Sequence, residues 1–486
     1  MAWKGLRPEP EREDEMGDVL ILGGGVCGLA TAMMLGRDGH DVTVVESNPA
    51  HPPALVEDAV ESWERPGVTQ FRLAHYMQAR FRHVLDADLP DVRDALMAAG
   101  ATRYNLLDLM PPFIEDRAPR PDDDRYWTLT ARRPVLETVF AHKAQDERNV
   151  SIVRGTKITR LVTGSEAISG VPHVVGVRTE DGAELRADIV VDAMGRRSAL
   201  DEWLPAVGGR PPHEEAEDCG FTYYERDFRS RDGSLPQAIG PLAAELGPIS
   251  VLTLPGDNDT WMIVVFTASG DRALKQLRFE DKWRKVVEAV PFQAHWLEGE
   301  PIGDFKTMAG IMDRIRRFVV NGTPVVTGLL PVADAWACTN PSRGRGVSIG
   351  IWHAQRLRDL LRSSIGEPKA LSAEWDAITE TEFAPWYKSQ VEMDRARVAE
   401  IIALREGREL PVRNDPQAQM TRAFFTAMAY DPDVFRAFLE VMGCLATPQE
   451  VMSRPGMFEK VISIAEDNEP VQLPGPTREE LLELVV

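Results

Sequence analysis

Apolar residues fall first into short runs that alternate with glycine turns and helical stretches. Asp18-Val19-Leu20-Ile21-Leu22 is too short for a helix and ends at three glycines, which predicts a buried parallel strand. Leu29 to Arg37 carries Ala, Met and Leu and stops at Asp38-Gly39, as a helix does. Asp41 to Glu46 is a second apolar run ending in an acid, so the start of the chain reads as strand, glycine turn, helix, strand. Helices are predicted over Leu89 to Gly100 and Arg133 to Gln145, and strands over Val150 to Val153 and Lys157 to Val162. Val174 to Arg178, a turn at Asp181-Gly182, and Glu184 to Val191 read as a hairpin ending at Asp192.

The texture then changes. Phe221 to Phe228 mixes aromatic and polar residues, while Ile249 to Leu254 and Trp261 to Thr267 flank the turn Pro255-Gly256-Asp257-Asn258-Asp259. That is the pattern of an antiparallel hairpin. Phe318 to Thr327 returns to apolar strand character, Val347 to Arg362 reads as a helix, and the rest is helical with loops at Pro411 to Pro416 and Pro470 to Pro476. The expected fold class is α/β (α+β), a Rossmann-like domain with an inserted, mostly antiparallel substrate sheet and a helical C-terminal region. The expected boundaries are a flexible tail over 1–17, a dinucleotide-binding domain over 18–204 and 308–365, the inserted sheet over 205–307 and the helical region over 366–486.

A chain of 486 residues exceeds what one hydrophobic core supports, in agreement with this division. The net charge of -21 argues against a nucleic-acid partner and against electrostatic docking on an anionic membrane. Cys27, Cys219, Cys338 and Cys444 lie far apart, so neither a zinc site nor a disulfide framework is expected. The N-terminus lacks the apolar stretch of a signal peptide and no apolar run is long enough to span a bilayer. A cytoplasmic protein without a membrane anchor is the expectation.

The glycine turn carries the first chemistry. Gly23 allows the tight turn, Gly25 lets backbone approach a pyrophosphate, and Gly28 lets the helix pack close to the strand. Val26 and Cys27 open the helix, whose N-terminus presents unpaired N–H groups to phosphate. Glu46 is placed to hold ribose hydroxyls and disfavours a 2′-phosphate, hence NADP. The motif alone leaves NAD and FAD both open.

A second motif lies far along the chain. Ala333-Asp334-Ala335 follows an apolar strand, and Pro341, Gly344 and Gly346 precede the Val347 helix. This resembles the second flavin motif of the p-hydroxybenzoate-hydroxylase-like FAD-dependent monooxygenases, usually Gly-Asp-Ala…Pro-x-x-Gly-x-Gly. The resemblance implies that Asp334 binds a ribityl hydroxyl and that the loop lies beside the flavin pyrimidine ring, with Ala333 replacing the usual glycine. Arg343 and Arg345 are atypical charges there; solvated loop residues are the favoured reading, and a site for a substrate carboxylate or a nicotinamide cofactor's phosphate is the alternative. Arg65 to Gln70 with His75, Arg133-Pro134-Val135-Leu136-Glu137, Asp192 to Ser198, Tyr223 to Phe228 and Asp431 to Leu445 look like a branch similar to actinobacterial polyether-type epoxidases and hydroxylases.

That resemblance places Arg133 near FAD, while Gln70 either contacts flavin or caps a loop. His75 is read as satisfying local hydrogen bonds. Met420 to Phe435 is read as core, with a lid over a greasy substrate as the alternative. Tyr223, Trp261 and Ile263 are expected to line the substrate pocket. No catalytic residue is assigned.

The implied activity is an FAD-dependent monooxygenase acting through a flavin C4a-hydroperoxide on an apolar, natural-product-like small molecule with O2. NAD(P)H or a separate flavin reductase would supply electrons. A dehydrogenase or reductase on the same fold is the alternative. A flavin-dependent halogenase is disfavoured, because no lysine occurs between Glu46 and Gly100 and Trp261-Met262-Ile263 lacks the family's second tryptophan.

Overall fold

The computed structural model describes residues 17–364, 366–409 and 415–486. The expected flexible tail and most of the Pro411 to Pro416 loop lie outside the described residues. The first unit is built on a five-stranded parallel sheet. Its order is Leu329–Pro331, Ile189–Asp192, Asp18–Leu22, Asp41–Glu46 and Val150–Arg154. Val19 to Leu22 are all buried, because helices and a small antiparallel sheet cover the two faces. The helices Val26–Arg37, Arg133–Gln145 and Gly346–Ser364 lie on one face and share one core with the strands.

The strand Asp18–Leu22 is followed by a neighbour on each side, so the chain reverses its direction of travel there. Open parallel sheets bind ligands at the carboxyl edge of such a point. The glycine turn sits at that edge.

The second unit is a five-stranded antiparallel sheet in the order Ala243–Leu246, Ile249–Pro255, Thr260–Ala268, Phe221–Arg229 and Glu300–Met308. Its back packs on the helices Glu280–Glu288 and Arg478–Val485 through Trp261, Trp283 and Trp296. A ribbon of His213–Asp218, Met312–Arg317 and Ala337–Cys338 joins it to the first unit. The C-terminal helices begin sharply, with Asp415, Asp431, Thr447 and Thr477 capping them; proline follows the first three caps. Among the described residues no helix is long and apolar enough to cross a membrane.

Two expected strands are corrected. Glu184 to Val191 is two elements: Glu184–Arg186 pairs with Val174–Thr179, and Ile189–Asp192 joins the parallel sheet. Only Ala187 and Asp188 separate them, too few to break an apolar pattern. Phe318 to Thr327 contains the short pair Val319–Val320 and Thr323–Pro324, and the parallel strand comes later, at Leu329–Pro331. Gly322 takes a positive φ of 72° in that turn, which reverses the chain inside the apolar run.

Candidate functional site

The glycine turn combines crowding and openness in the way a bound pyrophosphate requires. A Cβ on Gly28 would lie 2.1 Å from the Gly23 carbonyl oxygen, and one on Gly23 would lie 2.6 Å from that of Ala193. A Cβ on Gly25 would meet no protein atom within 4 Å. Gly25 precedes the helix without any side-chain cap, and the first turn holds no acid. The N-terminal N–H groups of Val26, Cys27 and Gly28 therefore border open space, where an anion is favoured.

Glu46 lies where the sequence puts it, at the strand end, but is already engaged. It accepts the Gly24 N–H at 3.0 Å and the Asn48 N–H at 2.8 Å, and pairs with Arg65 at 2.6 Å. Arg65 also donates to the Gly24 carbonyl at 3.1 Å and to Glu137 at 2.7 Å, while Arg133 donates to the other Glu137 oxygen at 2.7 Å. This buried chain of alternating charge braces the turn from beneath. Burial opposes ionisation of Glu137, yet Arg133 and Arg65 outweigh it and hold its carboxyl below the ordinary range. Arg65 and Glu137 thus support the turn; the resemblance drew attention to the stretches that contain them but gave neither residue a role. The Arg133–Glu137 spacing of four on one helix is the signal that could have found them.

The distal motif meets the first across the central loop. Gly195 approaches Asp334, whose carboxylate pairs with Arg196 at 3.3 Å, and Arg196 also donates to the Thr339 carbonyl at 2.8 Å. Ala333 occupies the left-handed region at φ 52°, where glycine carries no Cβ penalty. The neutral imidazole of His353 accepts its N–H at 3.0 Å and stacks on Trp375. Burial pushes the His353 pKa down to about 3, so this acceptor persists at neutral pH. Pro341 opens a tight turn, Gly344 is left-handed at φ 62°, and a Cβ on Gly346 would meet nothing within 4 Å.

The glycine turn, Glu46, Arg65, Asp334, His353 and the Pro341 to Gly346 turn border one continuous cleft of about 4070 Å³ that runs on to the antiparallel sheet. Small-ligand sites usually occupy ~300–1,000 Å³, so the cleft has room for an extended dinucleotide and a second molecule. Gln70, His75 and Arg133 line it. Gln70 accepts from Thr69 at 3.1 Å. His75 donates its Nδ1–H to the Leu73 carbonyl at 2.8 Å, and burial together with Arg133 pushes its pKa to about 3.

Of the three residues expected to line a substrate pocket, one borders this cleft. Tyr223 lines the cleft and donates its hydroxyl to Asn340 at 2.6 Å. Trp261 and Ile263 do not: they face the back of the sheet, where Trp261 donates to the Trp296 carbonyl at 3.0 Å. Successive residues of a strand point to opposite faces, so Val264 and Phe266 border the cleft, opposite Glu225 and Tyr223. Glu225 accepts the Ala74 N–H at 2.9 Å and pairs with Lys306 at 3.1 Å. Burial, only partly offset by Lys306, raises its pKa to about 7.

Arg343 is a partly exposed loop residue paired with Glu245, as expected, whereas Arg345 is not solvated but buried over Trp386. Met420, Phe424, Met428 and Phe435 do two jobs, packing in small apolar clusters and roofing the cleft.

No family model matches the chain. Protein Rv3254 of Mycobacterium tuberculosis is 26% identical over 404 residues, covering 76% of this chain and 79% of that protein. Squalene monooxygenase of Mus musculus is 22% identical over 71% of this chain and 54% of its own length. Among solved structures, p-nitrophenol 4-monooxygenase PnpA of Pseudomonas putida superposes with a TM-score of 0.59 at 16% identity, covering 89% of this chain and 98% of that one. The flavin-dependent brominase Bmp2, as a triple mutant, also gives 0.59, at 14% identity over 93% of this chain and all of the other. The parallel sheet and the antiparallel sheet beside it agree with these likenesses: the chain shares the fold of these solved flavin-enzyme structures.

Proposed function

We propose that this protein is an FAD-dependent monooxygenase that epoxidises or hydroxylates an apolar small molecule. The observation that carries the reading is the continuity of the cleft, from the open space at Gly25, past Asp334 and Gly346, to the wall of Tyr223, Val264 and Phe266. The helix N-terminus at Val26 would take the pyrophosphate, Glu46 the adenosine ribose and Asp334 the ribityl chain. The Pro341 to Gly346 turn would face the pyrimidine ring, with Arg133 and Gln70 nearby. Bound there, FAD supplies in its reduced form the capacity to activate O2 for insertion of one oxygen atom.

The chain's own residues orient and shelter. The Glu46–Arg65–Glu137–Arg133 network braces the turn, so the N–H groups are pre-aimed. His353 holds the turn that presents Asp334. The apolar wall and the Met420 to Phe435 roof exclude water from the reacting end.

The test uses flavoprotein reduced in the absence of air and then mixed with isotopically labelled O2 and a panel of apolar olefins and aromatics that includes squalene. The expected product carries one labelled oxygen atom. Bleaching of the flavin by a substrate without O2 would instead identify a dehydrogenase. A product formed only with bromide would identify a halogenase, the activity that the brominase of similar fold makes worth including. Anaerobic mixing with NADH and NADPH separates direct reduction from dependence on a partner reductase.

A further inference from the structure

Arg345 is a buried cation bordering the cleft that the cofactor reading leaves unused. Its residue is only 5% exposed, it borders the cleft, and its Nε and Nη1 have no hydrogen-bond partner. The guanidinium lies 5.2 Å from the ring centre of Trp386, itself 3% exposed, whose Nε1 is also unpartnered. Three buried donor nitrogens on two neighbouring side chains thus lack an acceptor. Protein interiors avoid that arrangement, because a desolvated donor or cation regains its lost hydration only through a partner.

The surrounding groups do not supply one. Arg343 repels Arg345 and is committed to Glu245. Asp394 is turned to Gln390 and Ser342, and burial raises its pKa. Arg80 stacks on Trp352 and donates to the carbonyls of Cys444 and Leu445. Arg345 also stands one residue before the nineteen-residue helix Gly346–Ser364, whose N-terminus adds positive potential.

We propose that Arg345 and Trp386 form an anion subsite in the cleft that receives a carboxylate carried by the apolar substrate. A carboxylate suits it better than a round ion, because a planar guanidinium offers paired parallel donors. The same cleft is also lined by Leu439, Met442 and Leu445, apolar side chains that suit a hydrocarbon body. An amphipathic acid would then be held at its head while its body lies against the sheet. The inference rests on the reading of the cleft as a substrate site beside FAD.

Calorimetric titration of the FAD-loaded protein with dodecanoate and with dodecan-1-ol tests it, at a pH of about 8 where the acid is ionised. The acid is expected to bind at least about ten-fold more tightly than the alcohol. Arg345→Met should erase that preference and leave the alcohol unchanged. Arg345→Lys should restore part of it, and Trp386→Phe should lower acid affinity by a smaller factor. Equal affinities in the parent, no acid binding, or a preference that survives Arg345→Met would each overturn the proposal. So would bromide binding that depends on Arg345 while the acid shows no preference, since the anion would then be inorganic. The flavin-to-protein ratio of the same samples separates the two readings. Protein without flavin sinks the monooxygenase reading, whereas loaded protein without acid preference sinks only the subsite.

Discussion

Gly25 and Gly28 stand three residues apart in one turn and answer to different constraints. A side chain at Gly28 collides with backbone, so Gly28→Ala is expected to lower both thermal stability and FAD binding. A side chain at Gly25 collides with nothing in the protein, and its backbone is already extended at φ -85°. Gly25→Val should therefore leave the melting temperature of the cofactor-free chain near the parent's while weakening FAD at least about ten-fold. Equal losses at both positions would mean that the turn is only structural. Glu225 offers a pH test. Its pKa in the folded chain is raised from 4.5 to about 7, so its contribution to stability is complete below about 4.5 and is lost as pH rises through about 7. The stability of Glu225→Gln relative to the parent should thus improve between about pH 5 and pH 8, and a flat difference would contradict the assignment. Residues of this kind were only partly legible in the sequence. The glycine turn and Glu46 are local, so spacing reveals them; Arg65, Glu225 and Arg345 act through neighbours 19 to 81 residues away or through burial, as the partners Glu46 and Lys306 show for the first two.

The strand Thr260–Ala268 shows why the sequence left open which of its faces meets the cleft. All nine of its residues are buried, because one face meets the Trp283 core and the other the cleft and the Tyr223 ring. Its hydrophobicity therefore does not alternate, and without alternation the inward register cannot be read from sequence. The two faces should respond differently to truncation. Ile263→Ala opens a void in the core behind the sheet and should cost about 2–5 kcal/mol in denaturant unfolding. Val264→Ala on the cleft face should cost less and should instead alter the affinity of apolar ligands. If Val264→Ala were the more destabilising and left ligand binding untouched, the assignment of the wall would be wrong.

At the scale of the whole molecule, two motifs some 300 residues apart border one elongated cleft because the strands Asp18–Leu22, Ile189–Asp192 and Leu329–Pro331 are neighbours in one parallel sheet. Each strand ends in a loop at the same edge: the glycine turn, the Asp192 to Ser198 loop, and the Ala333 to Gly346 loop. The division into a parallel unit, an antiparallel unit and a helical tail was legible from the change in hydrophobic period. The crossing points were not, since Ala187-Asp188 and the Gly322 turn lie inside apolar runs. A ligand that bridges these loops should stabilise the folded chain, by about 2.7 kcal/mol at a free concentration ~100 times its dissociation constant. The most direct test is an equilibrium titration of the cofactor-free chain with FAD, followed in the visible flavin band. One FAD bound per chain, with a perturbed spectrum and weakened by Gly25→Val, is the predicted result; no flavin binding, or displacement of FAD by NAD at the same turn, would contradict it.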